Sequence, residues 1–394
     1  MFDDQKISII LPIKNGDKDE LTRAINSIYA QEHENFELLL IDDGSEAGFA
    51  AVLDEVALMD ERIKLHHISP SGVSGARNYA IDIAEGDVIT FLDGDDTIRP
   101  FAFNEALALL KNERIDGVIG GTCYISYDEP CCGSCCGSDK SSSCCGSEHK
   151  NTCGCGSEES SSCCCGSEEG SSCCCGSEEK TAPLSYQELK DRSVKLTPRR
   201  IHKTRSECIG EPYRFGEAYI NRGIAARFLK KRVFKDNANR FPVGIRLYED
   251  AIWNLRMFTE LRLIYVESAW YDYYENNASV SNSFNKDVIE NMELPLSKIR
   301  KLIDMKDARE YRAYTRVLVD SLRYIYKCLY GHPDWKPSRA EKKAVRHHLF
   351  KDEPWAEIGR LKYLKYAEKR DKEKAVFYRF RLIFLYWRLR RGSL

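Results

Sequence analysis

Apolar positions along the first 120 residues follow two alternating rhythms. Short continuous runs read as buried strands: ISIILP (7–12), FELLLIDD (36–43), IKLHHI (63–68), DVITFL (87–92) and IDGVIGG (115–121). Between them the spacing becomes helical. Leu21, Ala24, Ile25 and Ile28 mark one face of a helix expected from about Asp19 to Gln31. Further helices are expected near Phe49–Met59, from Ser74 to a stop at Gly86, and from Pro100 to Asn112. Strands separated by helices imply a mainly parallel, doubly wound α/β sheet.

The rhythm stops between 131 and about 180. Gly-Ser pairs recur at 133, 137, 146, 156, 166 and 176, and SSCCCGSEE occurs at Ser161 and again at Ser171. Almost no aliphatic or aromatic side chain lies there, so the segment cannot bury enough surface to offset its ordering entropy. It is expected to be a disordered insertion in a surface loop. Fourteen of the 17 cysteines fall in it, while Cys123, Cys208 and Cys328 are scattered. A zinc module needs two ligand pairs at fixed separation within a foldable unit, and these doublets and triplets do not provide one.

Patterning resumes near Ser185. The stretch from Ala218 to Phe258 suggests a helix, a turn, and a second helix from about Glu249; LRLIYVESAWYDYYEN (261–276) reads as strands. Beyond Asp287 the chain looks helical, with Leu318, Leu322, Ile325 and Leu329 on one apolar face. The expected division is therefore 1–286, interrupted by the insertion, and a helical region 287–394.

Charge alters this picture only at the end. The formal net charge is −2, which gives no argument for nucleic acid, but residues 287–394 hold 27 Lys+Arg against 15 Asp+Glu. The last stretch mixes aromatics with Arg379, Arg381, Arg388, Arg390 and Arg391. Two readings are open: a peripheral contact with an anionic membrane surface, or a helix packed on the helical region. The start has neither the basic stretch nor the apolar core of a secretory signal. No run approaches the roughly 20 apolar residues of a spanning helix. The expected location is cytoplasmic, and the cysteines are then expected to be reduced.

Candidate chemistry gathers where the strands end. In open parallel sheets ligands bind outside the carboxyl ends of the strands. Pro12 and Lys14 follow the first run, Asp43 the second, and Asp93, Gly94, Asp95 and Asp96 the fourth. Carboxylates without nearby Cys or His suit a hard cation, Mg²⁺ or Mn²⁺, bridging the protein to a diphosphate. Bland alternatives exist for each position. Asp96 has the alternative of a cap for the helix near Pro100, Asp43 of an Asx-turn with Gly44, Arg77 of a surface ion pair, and Asp250 of a helix-dipole partner.

Three stretches in order, SIILPIKNGDKDELTRAINSIYAQEHENFELLLIDDGS, GVSGARNYAIDIAEGDVITFLDGDD and RFPVGIRLYEDAIW, resemble glycosyltransferase family 2. The resemblance covers residues 6 to about 280 apart from the insertion. It implies the Rossmann-like GT-A fold, a nucleoside diphosphate sugar donor, UDP-linked in the family pattern, and an inverting, metal-dependent transfer. By residue, it implies Asp43 for the donor's base, with Pro12 lining the base pocket. It implies Asp93 and Asp95 around metal and donor, with Asp95 in direct coordination, and Arg77 near the nucleotide. Lys14 departs from the pattern, because an aromatic there stacks on the base and lysine does not. Asp250 matches the catalytic base that takes the acceptor's proton. Glu249 is adjacent, and neighbours on a helix do not share a face. A surface polysaccharide or glycolipid is the implied acceptor. The competing reading is a non-catalytic GT-A-like protein presenting a cysteine-rich metal- or thiol-binding segment.

Overall fold

The computed structural model describes residues 5–126, 193–195, 213–215, 218–220, 223–275, 284–360 and 369–389. The cysteine-rich segment lies outside them, as do Cys208, Arg390 and Arg391.

Five strands come from the expected runs: β1 (Ile7–Ile13), β2 (Phe36–Asp42), β3 (Ile63–His67), β4 (Val88–Phe91) and β6 (Gly117–Ser126). A two-residue β5 (Thr97–Ile98) follows β4. Short strands β7 (Ser193–Lys195), β8 (Tyr213–Phe215) and β9 (Ala218–Ile220) precede β10 (Arg227–Lys230), and β11 (Leu263–Glu275) closes the set. The sheet runs β3-β2-β1-β4-β10-β6-β11-β5. Its first four strands are parallel, with Ile7 opposite both Phe36 and Val88. The carboxyl ends of β1, β2 and β4 therefore share one edge.

Where the stretch from Ala218 suggested a helix, the described residues form strands β9 and β10 and a 3₁₀ turn (Lys231–Lys235). β10 enters antiparallel between β4 and β6 and is buried throughout. Phe228 meets Phe103 and Trp270 edge-on at 5.8 and 5.4 Å, while Leu229 packs on the opposite face. A strand covered on both faces loses the polar alternation that would reveal it in sequence.

Helices cover both faces. Helix α1 (Lys18–Tyr29) is capped by Asp17, which accepts from the backbone N–H groups of Asp19 and Glu20, and it buries the four predicted apolar residues. With α2 (Ala47–Ala57) and α4 (Ala102–Leu110) it packs over Ile7, Ile9 and Leu11. Helix α3 (Gly72–Ile83) packs with Ala76, Ala80 and Ile81 over Ile10, Leu39 and Ile41. Successive β1 residues thus serve opposite cores, as a strand's period of two requires.

Helix α5 (Glu249–Glu260) belongs to two cores. Trp253 lies under the sheet, stacked on Phe241 at 4.6 Å, while Ile252 and Leu255 face a helical core. That core is built by α6 (Val288–Leu302), α7 (Ala308–Ile325), a π-helical turn (Tyr326–Tyr330), α8 (Arg339–Lys351), α9 (Lys369–Arg379) and α10 (Ile383–Leu389). The face predicted from Leu318, Leu322, Ile325 and Leu329 is buried. At the chain's end, Ile383, Phe384, Tyr386 and Trp387 also pack inward, and Phe384 stacks on Tyr330 at 4.3 Å.

Candidate active site

The loops after β1 and β2 are laced together at the shared edge. Asn15 donates its N–H to Ser45 Oγ (2.9 Å), and its side-chain Oδ1 accepts from Glu46 N–H (2.8 Å). Pro12 is half-buried opposite Ile41, and Lys14 stands exposed at the edge.

The two aspartates of IDDGS divide the work. Asp42, not Asp43, closes the turn by accepting from Ser45 N–H at 2.8 Å, so the Asx-turn alternative for Asp43 falls away. Gly44 sits at φ +77°, and a Cβ there would meet Pro70 Cγ at 2.5 Å. Asp43 instead reaches the start of α3. Its Oδ1 accepts from Ser71 N–H (2.6 Å) and Ser71 Oγ–H (3.0 Å), and its Oδ2 accepts from Gly72 N–H (2.9 Å). Both oxygens are engaged by donors that α3 leaves without an intrahelical partner.

The three aspartates after β4 take three different surroundings. Asp93 is half-exposed, and its N–H donates to Tyr271 Oη at 3.2 Å. Asp95 is held by its backbone: Arg23 Nη2 donates to its carbonyl at 2.6 Å. Burial, and then the charge of Asp93, raise the Asp95 carboxyl above its ordinary value. Gly94 lets the loop close on β1, where a Cβ would meet Ile13 Cδ1 at 3.2 Å. Asp96 does not cap a helix, because α4 begins six residues later. It is buried against β11, accepting from Tyr271 Oη–H at 2.7 Å and Tyr274 N–H at 2.9 Å. Burial, then Asp93, push its carboxyl up to about 8.

Arg77 joins this loop to the YED turn. It is 5% exposed, its Nη2 bonds Asp93 Oδ1 at 3.0 Å, and its Nη1 lies 3.6 Å from Glu249 Oε1. The guanidinium stands over the Phe241 ring at 5.4 Å. The next residue fixes that ring's loop: Asn78 Nδ2 donates to Phe241 O, and its Oδ1 accepts from Phe241 N–H, both at 2.9 Å. The reading of Arg77 as a surface pair is therefore wrong, since it is buried between two loops.

Glu249 and Asp250 open α5. Tyr248 before them has φ +62°, a left-handed value uncommon for a non-glycine residue, and its hydroxyl pairs with Ser321 Oγ of α7 at 3.0 Å. Burial, then the charge of Asp250, raise Glu249 to about 7, with Arg77 opposing. Burial also raises Asp250, whose Oδ1 accepts from Ala251 N–H at 2.6 Å. The arrangement offers two partly buried carboxyls at a helix start, one of them 3.6 Å from a cation that also holds a half-exposed carboxylate from the sheet edge.

Residues 8–130 match the sequence model described as glycosyl transferase family 2. This stretch is a family 2 glycosyltransferase domain. The chain is 32% identical over 124 residues to the glycosyltransferase GlyG of Streptococcus pneumoniae, covering 31% of this chain and 40% of that protein. It is 42% identical over 96 residues to an uncharacterized glycosyltransferase of Rickettsia conorii, covering 24% of this chain and 16% of that one. The chain thus spans well under half of these curated relatives. Among solved structures, residues 1–349 of TarS from S. aureus align over 96% of this chain and 88% of their own, at 15% identity and a TM-score of 0.48. That protein was also solved with UDP-GlcNAc. The overlay is too loose to bear on individual residues.

The mixed sheet with helices on both faces, which draws β10 and β11 from beyond residue 130, is the Rossmann-like α/β architecture expected from the sequence. Sequence reasoning missed three supports of the site. Tyr271 and Arg23, which hold the aspartate loop, come from β11 and α1 with no local signal. Asn78 was legible only as the neighbour of Arg77 in GARN.

Proposed function

We propose that this chain is an inverting glycosyltransferase. It moves a sugar from a nucleoside diphosphate donor, UDP-linked by the family pattern, to a hydroxyl of a surface polysaccharide or glycolipid. One observation carries the reading. Helix α3 gathers three of the five predicted acidic residues: Asp43 holds its start, and Arg77, five residues on, pairs with Asp93 and Glu249.

The proposed chemistry is a single displacement. The acceptor oxygen bonds to the anomeric carbon as that carbon's bond to the diphosphate oxygen breaks. The acceptor's proton passes to a carboxylate on the face opposite the leaving group, so the configuration inverts. Asp250 is assigned as this base. Glu249, turned to Arg77, keeps the cation and the turn in place. Burial raises the Asp250 carboxyl toward the working pH, which favours a base. Asp43 is assigned to the donor's base, with Pro12 and Lys14 on the same rim.

The aspartate loop suits a divalent cation. Asp93 raises the Asp95 carboxyl, and a cation between them would relieve that repulsion. Among the described residues no three His, Cys, Asp or Glu are grouped to hold a metal alone. Mg²⁺ or Mn²⁺ held by Asp95 and Asp93 would therefore complete its shell with donor phosphates and water. Bound there, it would neutralise charge developing on the departing diphosphate.

The test compares turnover of UDP-sugars with Mn²⁺ in three forms: the full chain, a form lacking 131–180, and Asp250→Asn. Activity is expected to survive the deletion and to fall at least about a hundredfold in Asp250→Asn. Equal turnover in Asp250→Asn, or no turnover of any nucleotide sugar by the full chain, defeats the proposal.

A further inference from the structure

Apolar exposure is concentrated at the end of the chain. Of 13 exposed large apolar side chains among the described residues, five lie in α9, α10 and the turn between them. They are Val376 (42% exposed), Phe380 (69%), Leu382 (43%), Leu385 (49%) and Leu389 (78%). Their spacing is regular. Val376 and Phe380 are four apart at the end of α9, Leu385 and Leu389 four apart on α10, and Leu382 lies in the turn. Residues four apart share a helix face. The inward residues of the same segment, Ile383, Phe384, Tyr386 and Trp387, already fill the helical core. The outward row is therefore surplus to packing.

Charge along this row has one sign. From Ala375 to Leu389 the sequence has no Asp or Glu, while Arg379, Arg381 and Arg388 are exposed. From α8, Arg346 Nη2 donates to the carbonyl of Arg381 at 3.1 Å, bringing a further cation to the turn.

The turn itself carries strain. Leu382 N–H donates to Phe377 O (2.7 Å) and Arg381 N–H to Tyr378 O (2.8 Å), the paired bonds of a Schellman helix end. That motif places its left-handed residue, usually glycine, where this chain has Arg381 at φ +59°. Glycine would form the same turn more cheaply. The arginine side chain is thus unexplained by the fold and points to a use outside it.

We propose that the α9–α10 hairpin is an interfacial anchor for an anionic lipid surface. Phe380, Leu382, Leu385 and Leu389 enter the acyl boundary while Arg379, Arg381 and Arg388 stay at the phosphates. The segment lies on the bilayer: among the described residues no helix is long and apolar enough to cross one. This assignment is independent of the transfer reaction.

The test is co-sedimentation of the full chain with vesicles of phosphatidylglycerol and phosphatidylcholine, and with phosphatidylcholine alone. The native chain is expected to sediment with the anionic vesicles and to stay in solution with the neutral ones. Phe380→Ser with Leu385→Ser is expected to bind at least about tenfold more weakly, since each exposed ring or branched chain is worth more than one decade on burial. Arg381→Gly is expected to bind about fivefold more weakly, the worth of one arginine at an anionic surface, while melting no lower than the native chain. UDP-sugar hydrolysis measured in the same samples is expected to be unchanged by these variants, so the outcome stands apart from the enzyme assignment. The anchor is refuted if the native chain ignores anionic vesicles, if it binds neutral ones equally, or if either variant sediments as the native chain does.

Discussion

Arg77 is the residue on which the candidate site turns. Its guanidinium spans two carboxylates from different loops, a geometry the point charge of lysine does not reproduce. Arg77→Ala leaves both without their cation. The expected cost is about 2–3 kcal/mol by urea denaturation, less than for a fully buried pair because Asp93 is half-exposed. Arg77→Lys is expected to restore little of the stability or the turnover. Asp96 makes a pH argument at the same scale. Its carboxyl titrates near 8 in the fold, against an ordinary value near 4, so between these values the folded chain holds a proton that the unfolded chain has released. Stability must then fall as pH rises through that window, by up to about 1.4 kcal/mol per unit for this group. Asp96→Asn keeps the neutral shape and donates to Tyr271 Oη. Its stability is expected to fall less steeply between pH 5 and 8 than that of the native chain. Parallel slopes in urea titrations would contradict the assignment.

At the scale of elements, the sheet is held at its other edge by Asp116, just before β6. Its Oδ2 accepts from Arg262 N–H and Nε–H (3.0 and 2.9 Å), and its Oδ1 from Arg262 Nη2 and Arg232 Nη2 (2.9 and 3.1 Å). One carboxylate thereby joins the approach to β11 with the turn after β10. Burial alone would raise it, but the hydrogen bonds from Arg262 and Arg232 outweigh burial and pull it to about 2. A depressed carboxyl stabilises the fold above its unfolded value and loses that contribution as pH falls toward 2. Asp116→Asn is expected to cost about 1–2 kcal/mol at pH 7, discounted for solvent around the exposed guanidiniums, and nothing below pH 2. The same region marks where patterning fails. Helix α1 and strands β1, β2 and β4 were legible because each has one face or one run of apolar residues. Strand β10 was not, because it is buried on both faces and its antiparallel partners lie more than 100 residues upstream.

For the whole molecule, α5 is the element that joins the two cores. Its first turn carries Glu249 and Asp250, Trp253 seals the sheet, and Ile252 and Leu255 seal the helical core. Cutting the chain after Lys286 would expose Ile245, Ile252 and Leu255 together. The shortened form is expected to lose near-UV circular dichroism and to precipitate, and the full chain to melt in one calorimetric transition. Two well-separated transitions would show the regions to be independent. The sequence by itself determined the alternation of strands and helices, the edge at which the candidate residues gather and the family 2 motifs, because local spacing and turn chemistry encode all three. It also showed a tail rich in arginine and aromatics. Only the tertiary structure decided which aspartate does what. Asp42 closes the turn, Asp43 holds α3, Asp96 is buried on β11 and Asp93 meets Arg77, because those partners lie far along the chain and meet only by packing. It also divided the tail into an inward aromatic face and an outward apolar one, a distinction that needs a core to point away from.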